Sequence, residues 1–451
     1  MSYGIAELAG VIRRGERSAR DVIEETFRDV KARDPFFNTV TRGLYDRALA
    51  AADITDRKIA RGEDVGALAG VPFGIKDLFD VRGEVTTAGS LVLRNNPPAR
   101  EDAAVVRNLC AAGAIPVVMT NMDEFAYGFA TDNAHHGVTR NPRNPEHLAG
   151  GSSGGSSAAV AAGMLPLALG SDTNGSIRVP ASLCGIWGLR PTQGVLPMSG
   201  VYPFVASLDV IGPFTRSPED LRLAFSGMAA ATHRELLSLD GLRVARLGGW
   251  FRQDLDAVLD GAIDDLVKYF GISNEVVLPE AEKARAAAFV ISAAEGGNLH
   301  LPRLKTCADE YDPATRDRLI AGAILPAAQV IQAHRLRTMF REQMHALMQQ
   351  YDILIAPATL GEAPRIDMPF VTLNGKSVSA RANLGLFTQP LSLAGFPVLA
   401  APLRKPGAEG LPLGVQLIAR PGAEELLFAV AEDLQTAGLL GYEPAAADGG
   451  N

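Results

Sequence analysis

Between Gly150 and Ser157 the chain reads Gly-Gly-Ser-Ser-Gly-Gly-Ser-Ser, and shortly after it Ser171-Asp-Thr-Asn-Gly-Ser-Ile-Arg178 mixes the same small residues again. Backbone N–H groups can approach a reacting carbonyl closely only where side chains are absent, so such loops belong where the polypeptide itself handles a ligand. Seven of the 46 glycines fall between Gly150 and Arg178, a local concentration of them. Whatever the fold is, it has to deliver two glycine-serine loops.

With 451 residues, 47% of them hydrophobic and 21% charged, the chain can bury a large core. Lys and Arg number 43 against 51 Asp and Glu, a net charge of −8 with no basic block, which argues against a dedicated nucleic-acid binder. Cys110, Cys184 and Cys307 lie far apart in no metal-ligand spacing, pointing to a reducing, cytoplasmic setting. Met1-Ser2-Tyr3-Gly4 begins no charged-then-apolar signal pattern. The apolar stretch Ala158–Gly170 is 13 residues long and holds Pro166, short of the about 20 that cross a bilayer. A cytoplasmic protein without membrane or nucleic-acid partners is expected.

Ser18 precedes an apolar stripe of Val22, Ile23, Phe27 and Val30, predicting a capped helix over 19–33, and an Ala-rich helix follows from Tyr45 to Arg61. The segment Leu68–Asp77 reads as a buried strand with Lys76 near its end. A helix over 102–112, a strand Ile115–Met119, a helix Ala158–Met164 and a strand Leu167–Gly170 continue the α/β alternation. Strands are expected at 243–247, 276–278, 352–356, 398–401 and 414–418, with helices near 254–270, 281–294, 314–349 and 424–437. No repeat or linker divides the chain, so residues 1–451 are read as a single α/β domain with a frayed Ala445–Asn451 tail.

Ser176 follows Thr173-Asn174-Gly175, placed to attack a carbonyl while those amides hold the oxyanion. A serine hydroxyl needs a base, and no histidine stands in a triad arrangement. Lysine serves if burial keeps it neutral, which nominates Lys76, with Ser152 relaying the proton. Ser153 in Gly151-x-Ser153-x-Gly155 also fits a nucleophile elbow, but that elbow needs a preceding strand and 144–149 is a poor one. Asp172 and Arg178 are expected to brace the loop as an ion pair. His135-His136, read as neighbours on a strand, would face opposite sides, so no metal is expected there. Trp187 and Trp250 are assigned to the core.

Gly150–Ser157, Leu169–Pro180 and Cys184-Gly-Ile-Trp-Gly-Leu-Arg-Pro191 together resemble the amidase signature family. Gly70–Asp77, Gly395-Phe-Pro397 and Gly414–Ile418 extend the likeness over essentially the whole chain. The resemblance implies a twisted mixed β-sheet flanked by α-helices, and amide hydrolysis through an acyl-enzyme without metal or organic cofactor. It also implies a Ser-Ser-Lys triad: Ser176 the nucleophile, Ser152 a bridging serine in a cis peptide, Lys76 the base. One departure stands out: Asn174-Gly175 replaces the Gly-Gly that commonly precedes the nucleophile.

That Asn, with Phe125-Ala-Tyr127-Gly128-Phe129, 132–137 and Glu295–Pro302, resembles the branch that hydrolyses small carboxylated, biuret-like amides with release of ammonia. The branch implies a small helical partner subunit, similar to the small subunit of tRNA-dependent amidotransferases, in a homodimer or heterotetramer. Tyr127, Gly128 and Arg318 are nominated to contact a carboxylated substrate. The rival readings are a glutaminase subunit of such an amidotransferase, an oxamate-type amidohydrolase and a non-catalytic scaffold. The scaffold is disfavoured because Lys76, Ser152 and Ser176 are all present.

Overall fold

The computed structural model describes residues 3–231, 237–271 and 274–444. The 445–451 tail lies outside them. In chain order the strands are β1 (Val40–Gly43), β2 (Pro72–Lys76), β3 (Ile115–Thr120), β4 (Asp132–Asn133), β5 (Gly137–Val138), β6 (Arg140–Asn141), β7 (Asn144–Leu148), β8 (Leu167–Asp172) and β9 (Trp187–Arg190). They continue with β10 (Val210–Thr215), β11 (Val244–Leu247), β12 (Glu275–Val276), β13 (Ile353–Pro357), β14 (Phe370–Leu373), β15 (Lys376–Ser379), β16 (Val398–Pro402) and β17 (Gly414–Ile418).

Among the described residues, eleven strands form one mixed sheet in the order β1-β3-β2-β8-β10-β9-β16-β17-β13-β11-β12. β2 runs parallel to both β3 and β8, and β11 parallel to β12 and β13, while the remaining neighbours are antiparallel. The small strands pair as hairpins β4/β5, β6/β7 and β14/β15 outside it. One side of the sheet order comes from residues before 216 and the other from residues after 243, and the two meet at the β9/β16 pair. Strands covered on both faces read as unbroken apolar runs, as β3 and β13 do, every residue of each being buried.

Ser18 caps its helix as expected, accepting from the Asp21 N–H, and the helix Ala19–Phe37 runs through Pro35 to a left-handed Asn38. Three expectations need correction. The single helix over 314–349 is two, Pro313–Ala323 and Ala327–Leu347, because Pro326 lacks an N–H and pushes Leu325 out of helical geometry. The helix expected to end at 294 continues to Cys307 as Ala281–Cys307. There Gly297 lets the neighbouring helix close in: a Cβ would stand 2.4 Å from the Ala323 nitrogen. The poor strand before the glycine run is β7, paired with β6 in a hairpin rather than in the main sheet. Trp187 is buried, whereas Trp250 is half-buried against the core.

Candidate active site

β2 ends at Lys76, beside the neighbouring ends of β3 and β8. Its side chain is fully buried, and Nζ donates to Ser152 Oγ at 2.7 Å, Ser153 Oγ at 2.9 Å and Ser171 Oγ at 2.8 Å. Hydroxyl dipoles solvate an ammonium less well than water does, so burial lowers the Lys76 pKa to about 7, against the pull of Asp123, Asp209 and Asp172. An amine that changes charge near neutrality can give or take a proton. Ser152 joins Gly151 through a cis peptide bond, as the resemblance implied.

β8 then delivers the second loop. Adjacent strand residues face opposite sides, so Ser171 turns to Lys76 while Asp172 turns to two arginines. Arg178 Nε and Nη2 each lie 3.0 Å from an Asp172 oxygen, and Arg190 Nη1 lies 2.9 Å from Oδ1. Burial alone would raise the Asp172 carboxyl, but the Arg178 and Arg190 guanidiniums more than reverse this and hold it well below the usual carboxylate range. The expected brace is therefore a triad of charges, with Arg190 added. Replacing Asp172 by alanine would strand two buried guanidiniums and should cost about 3–5 kcal/mol. A urea midpoint shift equivalent to less than about 1 kcal/mol would show that the brace does not hold the loop.

The loop between these charges is fixed residue by residue. Thr388 Oγ1 donates to the Asn174 carbonyl at 2.7 Å, and Thr173 Oγ1 donates to Asp209 Oδ1 at 2.5 Å. Gly175 adopts φ +130°, and a Cβ there would meet Thr388 Oγ1 at 2.0 Å, so only glycine fits. Its N–H donates to Asp172 Oδ1 at 2.8 Å, which commits to the brace one of the amides expected to hold the oxyanion. Asp209 itself is buried, with Oδ2 taking the Phe204 and Val205 N–H groups at 2.9 Å each, and burial raises its pKa to about 6.

Comparison with known proteins decides the family: the model described as Amidase matches residues 21–428. The chain belongs to the amidase family. It is a hydrolase of amide C–N bonds. AtzE of Pseudomonas sp. (strain ADP), one subunit of 1-carboxybiuret hydrolase, is 47% identical over 448 residues, covering 96% of this chain and 98% of that one. A glutamyl-tRNA(Gln) amidotransferase subunit from Carboxydothermus hydrogenoformans is 35% identical, covering 94% and 95%. A solved chain, described as part of a vestigial protein complex revealing the origins of an s-triazine catabolic enzyme, superposes with TM-score 0.94 at 46% identity. That match covers 98% of this chain and 100% of the other.

Within this amidase, Tyr127, Gly128, Thr173, Asn174, Ser176 and Arg318 line one pocket, with Phe204, Phe289, Ser292 and Gln389 also in its wall. The Arg318 guanidinium lies 3.6 Å from the centre of the Tyr127 ring, and Nη1 donates to the Tyr127 carbonyl at 2.9 Å. Lys76, Ser152 and Ser153 are buried and do not line this pocket. A roomier cleft beside the helix Tyr45–Ala60, lined by Arg47, Lys58 and Cys110, contains none of these groups.

His135 and His136 occupy the turn between β4 and β5 rather than a strand, and His135 Nε2 lies 3.0 Å from Glu124 Oε1. Among the described residues no three His, Cys, Asp or Glu side chains gather as a metal site. Sequence reasoning missed Ser171 as a lysine partner, although β-strand alternation next to Asp172 could have found it. Arg190 lay within the Cys184–Pro191 motif but was not read as a charge partner, while Asp209, Ser292 and Gln389 carried no local signal, being brought in by distant elements.

Proposed function

We propose that this amidase hydrolyses a small carboxylated, biuret-like amide of the carboxybiuret class and releases ammonia, with Ser176 as nucleophile, Ser152 as proton relay and Lys76 as base. The observation that carries the mechanism is the buried Lys76 Nζ 2.7 Å from Ser152 Oγ. With Lys76 neutral, the Ser152 hydroxyl donates to the Nζ lone pair across this contact, leaving the Ser152 oxygen to accept the Ser176 proton. Ser176 Oγ attacks the carbonyl, its proton passing by way of Ser152 to neutral Lys76. The oxyanion is met by the Thr173 and Asn174 N–H groups, the proton returns to the departing nitrogen, and water releases the acyl group from Ser176. Arg318, with Tyr127 and Gly128 in the same pocket, receives the substrate carboxylate.

The substrate class rests on identity to the carboxybiuret hydrolase relative, 47%, which exceeds the 35% to the amidotransferase relative. We further propose that the chain works in the cytoplasm as one domain, in a heteromeric assembly with a small helical partner. The likeness to a chain of a described protein complex supports that assembly. No described helix is long and apolar enough to cross a membrane.

The test is ammonia release by the purified chain, alone and with any copurifying small protein, from carboxybiuret, biuret, oxamate and glutamine. Release from carboxybiuret in preference to the rest supports the reading. Release from glutamine or oxamate alone replaces it with the corresponding rival, and no release from any of the four, with the partner present, overturns it. The pH profile is a separate check, since Lys76 has to be neutral to accept a proton. With its pKa lowered to about 7, kcat/KM should rise through neutrality and level off above it. A rate flat from about pH 6 to about pH 10, with chemistry limiting, would remove Lys76 from the mechanism.

A further inference from the structure

The Asn174 side chain presents an oddity that the mechanism above does not use. Nδ2 donates to Ser292 Oγ at 2.8 Å, while Oδ1 is buried with no hydrogen-bond partner among the described residues. Buried amide oxygens are costly to leave unmatched and are almost always paired. Asn174 and Ser292 both line the pocket that contains Ser176. Two contacts fix the orphan in place. The Thr388 hydroxyl holds the Asn174 carbonyl at 2.7 Å, and Ser292, on the helix Ala281–Cys307, holds the side-chain amide. A rigidly held acceptor beside the nucleophile is a preorganised contact waiting for a donor.

We propose that Asn174 Oδ1 is a specificity-determining contact that accepts an N–H from the atom bonded to the far side of the scissile carbonyl, selecting urea-type amides over carbon-linked ones. The inference rests on the functional reading above and deepens it. When the carbonyl oxygen sits against the loop amides and the leaving nitrogen faces the proton relay, one substituent of that carbonyl remains. In ureas and biurets it is an N–H, in glutamine a methylene, in oxamate a second carbonyl carbon. The N–H satisfies Oδ1, the methylene leaves it unmatched, and the oxamate carboxylate brings further negative charge to it. One side-chain oxygen thereby sorts the three candidate substrate classes.

The test uses a matched pair, N-carbamoylglycine and succinamate, which differ by one N–H in place of one methylene next to the primary amide. Binding of each is measured by calorimetry in the Ser176→Ala chain, where neither is turned over, and again with Asn174→Ala added. The chain with Asn174 should bind N-carbamoylglycine about tenfold tighter than succinamate, and Asn174→Ala should bring the ratio close to one. Ser292→Ala, which keeps the acceptor but frees its orientation, should give an intermediate ratio and serves if the first variant fails to fold. A merely structural role would weaken both ligands alike. A ratio near one in the chain with Asn174, a ratio unchanged by Asn174→Ala or, in its place, by Ser292→Ala, or no binding of either ligand overturns the inference. Any of these alongside hydrolysis of carboxybiuret by the unaltered chain leaves the functional reading standing, whereas failure of that hydrolysis takes both down.

Discussion

Replacing Ser176 by alanine is expected to lower ammonia release by about 10⁴-fold or more, the scale on which loss of a nucleophile acts in serine hydrolases. What remains would come from the loop amides and the binding pocket, which still favour attack by water. The change deletes one hydroxyl from a loop whose position is set by Asp172, Arg178, Arg190 and Thr388, so the folded chain should persist. Measuring initial rates alongside the unfolding midpoint separates the two effects. Retention of more than about 1% of the rate with a normal midpoint would exclude Ser176 as the nucleophile and shift attention to Ser152 or Ser153.

Lys76→Met is expected to cost about 10²–10⁴-fold in rate and to abolish the rise through neutral pH, because the group that titrates is gone. It also has a thermodynamic signature. The Lys76 pKa is about 7 in the folded protein against an unperturbed value of 10.5, so between these values the unfolded chain binds more protons than the folded one. Stability of the unaltered protein should therefore climb as pH rises from about 7 to about 10, and this increment should be missing in Lys76→Met. Urea midpoints at several pH values read it directly. Parallel pH dependences in the two proteins would mean that Lys76 is not held in a poorly solvating environment.

Much of this was legible in sequence wherever a local signal decides the outcome. Ser18 caps its helix, the runs at Ile115–Thr120 and Ile353–Pro357 become doubly buried strands, and Asp172 meets Arg178 because only five residues of tight loop separate the two charges. Apart from the helix break at Pro326, which is a local signal, the failures share a physical cause, which is that tertiary packing overrides local preference. The helix expected to end at 294 runs on through Gly296 and Gly297 to Cys307, and Gly297 gives the helix Pro313–Ala323 room to lie against it. Arg190 and Asp209 reach the loop through the sheet, from strands β9 and just before β10, and nothing near Ser176 in sequence announces them. The free oxygen of Asn174 is also invisible until Ser292 is seen to hold its nitrogen.

The pocket draws its lining from both sides of the β9/β16 seam. Lys76, Ser152, Ser171 and Ser176 belong to the first side of the sheet order together with Tyr127, Gly128, Asn174 and Phe204 of the pocket wall, whereas Phe289, Ser292, Arg318 and Gln389 of the same wall come from the second. Substitutions in the later half can thus redraw one part of the pocket wall while the residues proposed for the chemistry, all from the earlier half, are left in place. New substrate preferences become reachable by single steps, each tested against a working enzyme.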